Sequence, residues 1–182
     1  MKMKANVLTL AFAVALIASA HAADWSLSPQ GYGPVRIGMS PGEASSALGT
    51  PLEYEGEGQA DPACHHLSAT ARDDHLRYMV QAGRIVRISL YEGPSPVRAD
   101  KGIALGDPAR KVRQAYGEEA LDIAPHEYVN GEYLTFWNEK EKRGIRYETK
   151  TDDPAPFLDP GDALVYRIHV GGEAVNLIEG CS

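Results

Sequence analysis

Only two cysteines, no surplus of positive charge, no apolar run long enough to cross a membrane and no local catalytic signature are present in this chain. Each absence excludes something. The patterns G-x-S-x-G and H-E-x-x-H are missing, as is a glycine loop that could cradle phosphate, so no nucleophile, zinc site or nucleotide site is announced locally. Lys2 and Lys4 belong to an N-terminal processing segment; without them 18 basic residues become 16, and the net charge is 16 − 25 = −9. Such a chain is a poor match for nucleic acid or anionic lipid. Cys64-His65-His66, with His75 nearby, invites a metal reading. Successive strand side chains point to opposite faces, however, so His65 and His66 cannot share an ion, and neither metal nor cofactor is expected.

Residues 1–22 have the form of a bacterial signal peptide. Lys2 and Lys4 give a basic start, Leu8 to Ile17 is apolar, and Ala20-His21-Ala22 fits a small-x-small cleavage site. No cysteine lies near that point, so the expectation is a periplasmic or secreted protein, soluble after cleavage and without a membrane anchor. In an oxidising compartment Cys64 and Cys181 most simply form one disulfide, the alternative being two buried thiols. Closing so long a loop is worth roughly 4 to 5 kcal/mol in the chain-entropy model.

A motif then recurs. Gly38-Met39-Ser40-Pro41-Gly42-Glu43 leads through Ala44, Ala47 and Leu48 to Gly49, and Gly106-Asp107-Pro108 leads through Val112, Ala115 and Tyr116 to Gly117, 68 residues later. Ser40 with Glu43 predicts a capping box, Asp107 predicts the cap of the second copy, and the glycines predict the stops. Helices this short are marginal alone, so each requires a sheet to pack on. Strands are expected at Cys64 to Thr70, Leu76 to Gln81 and Ile85 to Tyr91. A three-residue loop at Ala82-Gly83-Arg84 sets Tyr78 opposite Ile88 and keeps one face apolar: Leu76, Tyr78, Val80, Val86, Ile88 and Leu90. After the linker Gly93-Pro94-Ser95-Pro96, Asn130-Gly131 predicts a hairpin joining His126–Val129 to Glu132–Trp137. Ile145–Thr149 matches Leu76–Val80, Leu164–Val170 matches Arg84–Leu90 beyond an insertion at Thr151 to Gly161, and Ala174–Ile178 reads as a last strand. The fold class is α+β: two tandem modules, 23–98 and 99–182, each a short helix packed on an antiparallel sheet with its other face open to water.

The G-M-S-x-x-E and L-G words, with the strands after them, resemble the module found twice in β-lactamase inhibitor proteins and once in outer-membrane lipoproteins of the SmpA/OmlA type. The resemblance implies a protein-binding role. The chain differs in lacking the lipid-anchoring cysteine and in placing its two cysteines in different modules. No inhibitory residue of that family maps onto a position here.

Chemistry is sought on the faces away from the helices. Arg77, Met79, Ile85, Arg87, Ser89 and Tyr91 are expected to point outward in the first module, and Arg146, Glu148, Val165, Arg167 and His169 in the second. Arginine recurs in register, and flat faces bearing Arg bind carboxylates and aromatic rings. Leu134 and Phe136 read as core, leaving Tyr133, Thr135 and Trp137 on the other side, with Tyr128 across the turn. Arg77, Arg87, Tyr133, Trp137, Arg146 and Arg167 are therefore the candidate partner-binding residues, the loop Glu53 to Pro62 is the next choice, and no catalytic residue is assigned. Glu118-Glu119 and Asp152-Asp153 read as solvated charge. The expected function is a non-enzymatic exported protein that binds a protein of the cell envelope as inhibitor or neutralising partner. The competing readings are a hydrolase or other enzyme assembled from distant residues and a structural accessory of envelope assembly. A deep pocket of converging titratable groups would favour the enzyme, and a broad Arg- and aromatic-bearing face the binder.

Overall fold

The computed structural model describes residues 25–72, 74–91, 93–151 and 160–181. The expected signal segment, Asp152-Asp153 and most of the 151–161 insertion lie outside the described residues. The first half runs β1 (Ser26–Ser28), β2 (Gly31–Tyr32), β3 (Val35–Arg36), α1 (Pro41–Leu48), β4 (Glu53–Tyr54), β5 (Cys64–Ser68), β6 (Leu76–Gln81) and β7 (Arg84–Leu90). The second runs β8 (Arg98–Ala99), α2 (Ala109–Tyr116), β9 (Leu121–Pro125), β10 (Glu132–Asn138), β11 (Arg143–Lys150) and β12 (Leu164–Gly171). The α+β class holds.

Helix α1 is built as its sequence dictates. Glu43 N–H donates to Ser40 Oγ at 3.3 Å, Ser40 N–H donates to Glu43 Oε2 at 2.7 Å, and Gly49 ends the helix at φ 71°. Ala44 and Leu48 are buried, while Ala47 is exposed. Helix α2 departs from expectation at its start. Asp107 does not cap it; Pro108 holds the cap position without a side-chain bond, and the Asp107 carboxylate instead accepts from Ala104 N–H and Lys111 Nζ, each at 2.7 Å. The reason is register: Asp107 stands where the first copy has Met39, one residue before the cap.

Both copies dock on their strands by the same pair of main-chain bonds. Gly38 N–H donates to Ile85 O and Ile85 N–H to Met39 O, both at 2.8 Å. Gly106 N–H donates to Val165 O at 2.8 Å and Val165 N–H to Asp107 O at 2.9 Å.

The halves do not close separate sheets. They share one eight-stranded antiparallel sheet of order β4-β5-β6-β7-β12-β11-β10-β9, joined at its centre by β7 and β12. There Ile88 faces Val170, Ser89 faces His169 and Leu90 faces Ile168. Matching Arg84–Leu90 to Leu164–Val170 exchanges the outer two pairs and leaves Ser89 and His169 on the exchange axis. A second, four-stranded sheet of order β3-β2-β1-β8 also bridges the halves, β1 running parallel to β8 with Leu27 opposite Ala99.

The core lies on the helix side of the large sheet. Ala44, Leu48, Ala109 and Val112 pack there with Leu76, Tyr78, Val80, Ile88, Leu90, Leu134, Ile145, Tyr147, Ile168 and Val170. Tyr78 faces Ile88 and Leu76 faces Leu90, the expected register. That register slips by one residue between Met79 and Val80, so Val80 faces Ile85. The equivalent slip between Glu148 and Thr149 sets Thr149 opposite Val165. These bulges turn Ile85 and Val165 inward, correcting the expectation that both face water, and leave Val86 half-buried instead of in the core.

Two further expectations fail in the second half. The β9–β10 connection is the loop 126–131 and not a two-residue Asn130-Gly131 turn. His126 creates it by turning inward, its Nδ1 accepting N–H groups of Tyr128 at 3.1 Å and Val129 at 3.3 Å. Among the described residues after Gly171 there is no strand; Glu173–Asn176 is a short 3₁₀ turn, and the segment continues to Cys181. The Cys64–Cys181 disulfide is present, with Cα atoms 5.4 Å apart. No helix among the described residues is long and apolar enough to cross a membrane.

Candidate functional site

The face opposite the helices is not the open surface that alternation suggests. Its centre is closed, with Met79, Arg87, Ser89, Glu148 and His169 all buried. Two arginines hold the C-terminal segment over part of it. Arg87 Nη1 donates to the carbonyls of Ala174 at 3.1 Å and Leu177 at 2.6 Å. Arg146 Nη1 donates to Asn176 O at 3.4 Å and its Nη2 to Asn176 Oδ1 at 2.6 Å, while Nε donates to Thr135 Oγ1 at 3.0 Å.

At the centre is a buried polar chain. Glu148 Oε1 lies 3.1 Å from His169 Nε2, and His169 Nδ1 lies 2.8 Å from Ser89 Oγ. Glu148 Oε2 lies 3.4 Å from both His126 Nε2 and Arg167 Nη1, and Tyr166 Oη lies 2.7 Å from His126 Nε2. His126 Nδ1 accepts main-chain N–H groups, so its ring proton sits on Nε2. Burial alone would raise the Glu148 carboxyl. The hydrogen bond from His169, the charge that His169 gains only in the acidic range where Glu148 itself titrates, the charge of Arg167 and the His126 contact outweigh burial and hold it well below the usual carboxylate range. His169 is pushed down chiefly by burial, with Arg87 and Arg167 adding to it. A neutral His169 beside an ionised Glu148 carries its proton on Nε2, and Ser89 then donates to Nδ1.

That is the wiring of a serine–histidine–carboxylate chain. Ser89 is only 1 % exposed, however, so a substrate carbonyl cannot reach its oxygen. The chain ties β7, β12 and β11 to the loop 126–131. Among the described residues no group of His, Cys, Asp and Glu is arranged to hold a metal ion.

The accessible chemistry lies at the margin. Arg77 pairs with Glu55 at 2.8 Å, and its guanidinium sits 4.7 Å from the Tyr91 ring centre. Arg167 sits 5.4 Å from the same ring and 5.0 Å from that of Tyr166. Arg77 is exposed, and Arg167 and Tyr91 are half-buried. The six candidate residues thus divide. Arg77 and Arg167 meet on Tyr91; Arg87, Arg146 and Tyr133 are occupied internally; Trp137 stands apart. Tyr133 is buried, correcting its expected exposure, because it stacks on His126 at 4.4 Å between ring centres beneath the Arg146 guanidinium. Trp137 is half-buried and lies against Gly144, where a Cβ would come within 2.5 Å of its ring.

The sequence placed Glu148 and His169 on this face but with the expectation that it is open to water, and it assigned no role to His126 or Tyr166. The missed signal is in the repeat. Glu148 stands where the first half has Met79, and His169 where it has Ser89, so the polar centre sits where the copies differ.

No family model, curated protein or solved structure matches this chain.

Proposed function

We propose that this chain is a non-enzymatic, exported binding protein that engages another protein of the cell envelope, as an inhibitor or neutralising partner, through the sheet face bearing Arg77, Tyr91 and Arg167. The observation that carries the reading is the pair of guanidinium groups gathered on one half-buried tyrosine ring at an accessible margin. Arg and Tyr are among the side chains that most often dominate protein interfaces. The leader-like segment 1–22 and the Cys64–Cys181 bond support export to an oxidising compartment. The likeness of the helix motif to β-lactamase inhibitor proteins supports inhibition as the form of the activity. The test is comparative capture from envelope extract, using wild type and an Arg77→Gln/Arg167→Gln variant of unchanged circular dichroism. A protein retained by wild type should be lost from the variant. Retention by both would move the working surface elsewhere, first to the exposed Glu53 to Pro62 loop.

A further inference from the structure

Arg87 and Arg146 are cations with neutral partners. Arg77 and Arg167 pair with Glu55 and Glu148, whereas Arg87 and Arg146 hold main-chain carbonyls, a threonine hydroxyl and an asparagine amide. Among the described residues neither is ion-paired; Glu148 acts on both from beyond contact distance, Asp122 acts likewise on Arg146, and Tyr91 is a further neutral neighbour of Arg87. The segment over them fits them imperfectly. Arg87 Nε and His66 Nε2 are buried without a hydrogen-bond partner, although the segment packs closely on both side chains: a Cβ at Gly180 would lie 2.9 Å from Arg87 Nη2 and 3.2 Å from His66 Nε2, so contact is made without satisfying their polar atoms. Its acids turn away: Glu173 and Glu179 are exposed, and Glu179 Oε1 accepts from the Tyr128 hydroxyl at 2.9 Å.

A buried guanidinium is better compensated by a carboxylate than by a carbonyl, because both charges then contribute and the bond is bidentate. What favours the neutral segment is its attachment. It is joined to β12 at Gly171 and to β5 through Cys64–Cys181, which gives it a high effective concentration over the two arginines. A cleft of about 330 Å³, lined by Tyr54, Glu55, His65, His66, Arg77 and Cys181, opens beside that disulfide.

We propose that residues 173–181 are an internal occupant of an acidic-peptide site, and that an extended, carboxylate-bearing segment of the partner displaces them from Arg87 and Arg146. This deepens the sheet-face reading and rests on it. The incoming peptide enters beside the exposed Arg77 and gains two ion pairs that the resident segment cannot supply.

The experiment measures fluorescence anisotropy of a labelled hexaglutamate peptide with the full chain. Cys181→Ser, which cuts one attachment, should bind it at least ten-fold more tightly than wild type, and adding Arg146→Gln should abolish the gain. The Val175 and Leu177 amides, bonded to Gly172 O and Ala174 O, should exchange faster when peptide is bound. Equal binding by wild type and Cys181→Ser, or a gain that survives Arg146→Gln, overturns the inference. Asn176→Asp keeps the disulfide and supplies the missing carboxylate in cis. It should raise the unfolding midpoint and weaken peptide binding, and an unchanged midpoint counts against the proposal even if Cys181→Ser fails to fold. Peptide that binds wild type and Cys181→Ser alike, but is lost with Arg77→Gln/Arg167→Gln, leaves the sheet-face reading standing and removes the internal occupant.

Discussion

Glu148 and His169, which stand opposite Arg167 and Ser89 in the strand ladder, place an ionised carboxylate and a neutral imidazole in contact inside the sheet. The groups facing His169 are Ser89, Glu148, Tyr91, Arg87 and Arg167. Its folded-state pKa is lowered, so below about 6.5, the value of an unfolded histidine, the unfolded chain takes up the proton first. Stability is therefore full above about pH 6.5 and falls as the pH drops; His66, also lowered by burial, adds in the same direction. The lowered Glu148 adds a further loss below about pH 4.3. Urea midpoints from pH 7.5 to pH 5 should show this decline, and His169→Gln should flatten it. An undiminished slope in the variant would assign the titration to other groups.

Among the elements, what the sequence made legible is whatever local chemistry decides. The capping box at Ser40, the glycine stop at Gly49, the Leu76–Gln81 strand and the Tyr78–Ile88 register all follow from neighbours in the chain. The bulges at Met79/Val80 and Glu148/Thr149 did not, because a register slip preserves composition; each lies beside a main-chain docking contact, Gly38–Met39 on Ile85 and Gly106–Asp107 on Val165, between residues far apart in the chain. The exposure of the arginines was likewise hidden, since alternation reports which face a residue takes and not what crosses above it. Asn130-Gly131 shows a correct residue read for the wrong reason. Gly131 is required by close approach of β11, where a Cβ would lie 1.8 Å from Thr149 O. Gly131→Ala should therefore destabilise the fold by about 2 to 3 kcal/mol in chemical denaturation, although its backbone asks for no left-handed conformation. A loss below about 0.5 kcal/mol would mean that the loop yields freely.

At the scale of the whole molecule, the join between β7 and β12 makes each half the cover for the other's sheet edge. Residues 23–98 expressed alone should leave β7 unpaired and associate through it, giving a dimer or larger species by size-exclusion chromatography with light scattering. A stable monomer would show that the half closes its own core. The same join bears on what the centre can contain. A true two-fold axis confronts every residue on it with its own copy, so serine meets serine and histidine meets histidine, and a proton donor cannot be matched to a dedicated acceptor. Carrying both halves on one chain lifts that constraint at a single rung of the ladder. Ser89 can then donate to His169 across the axis, and the buried chain that begins there reaches Glu148 on only one side. The molecule thus has a direction that its architecture lacks, and a partner meeting the two halves meets two different surfaces.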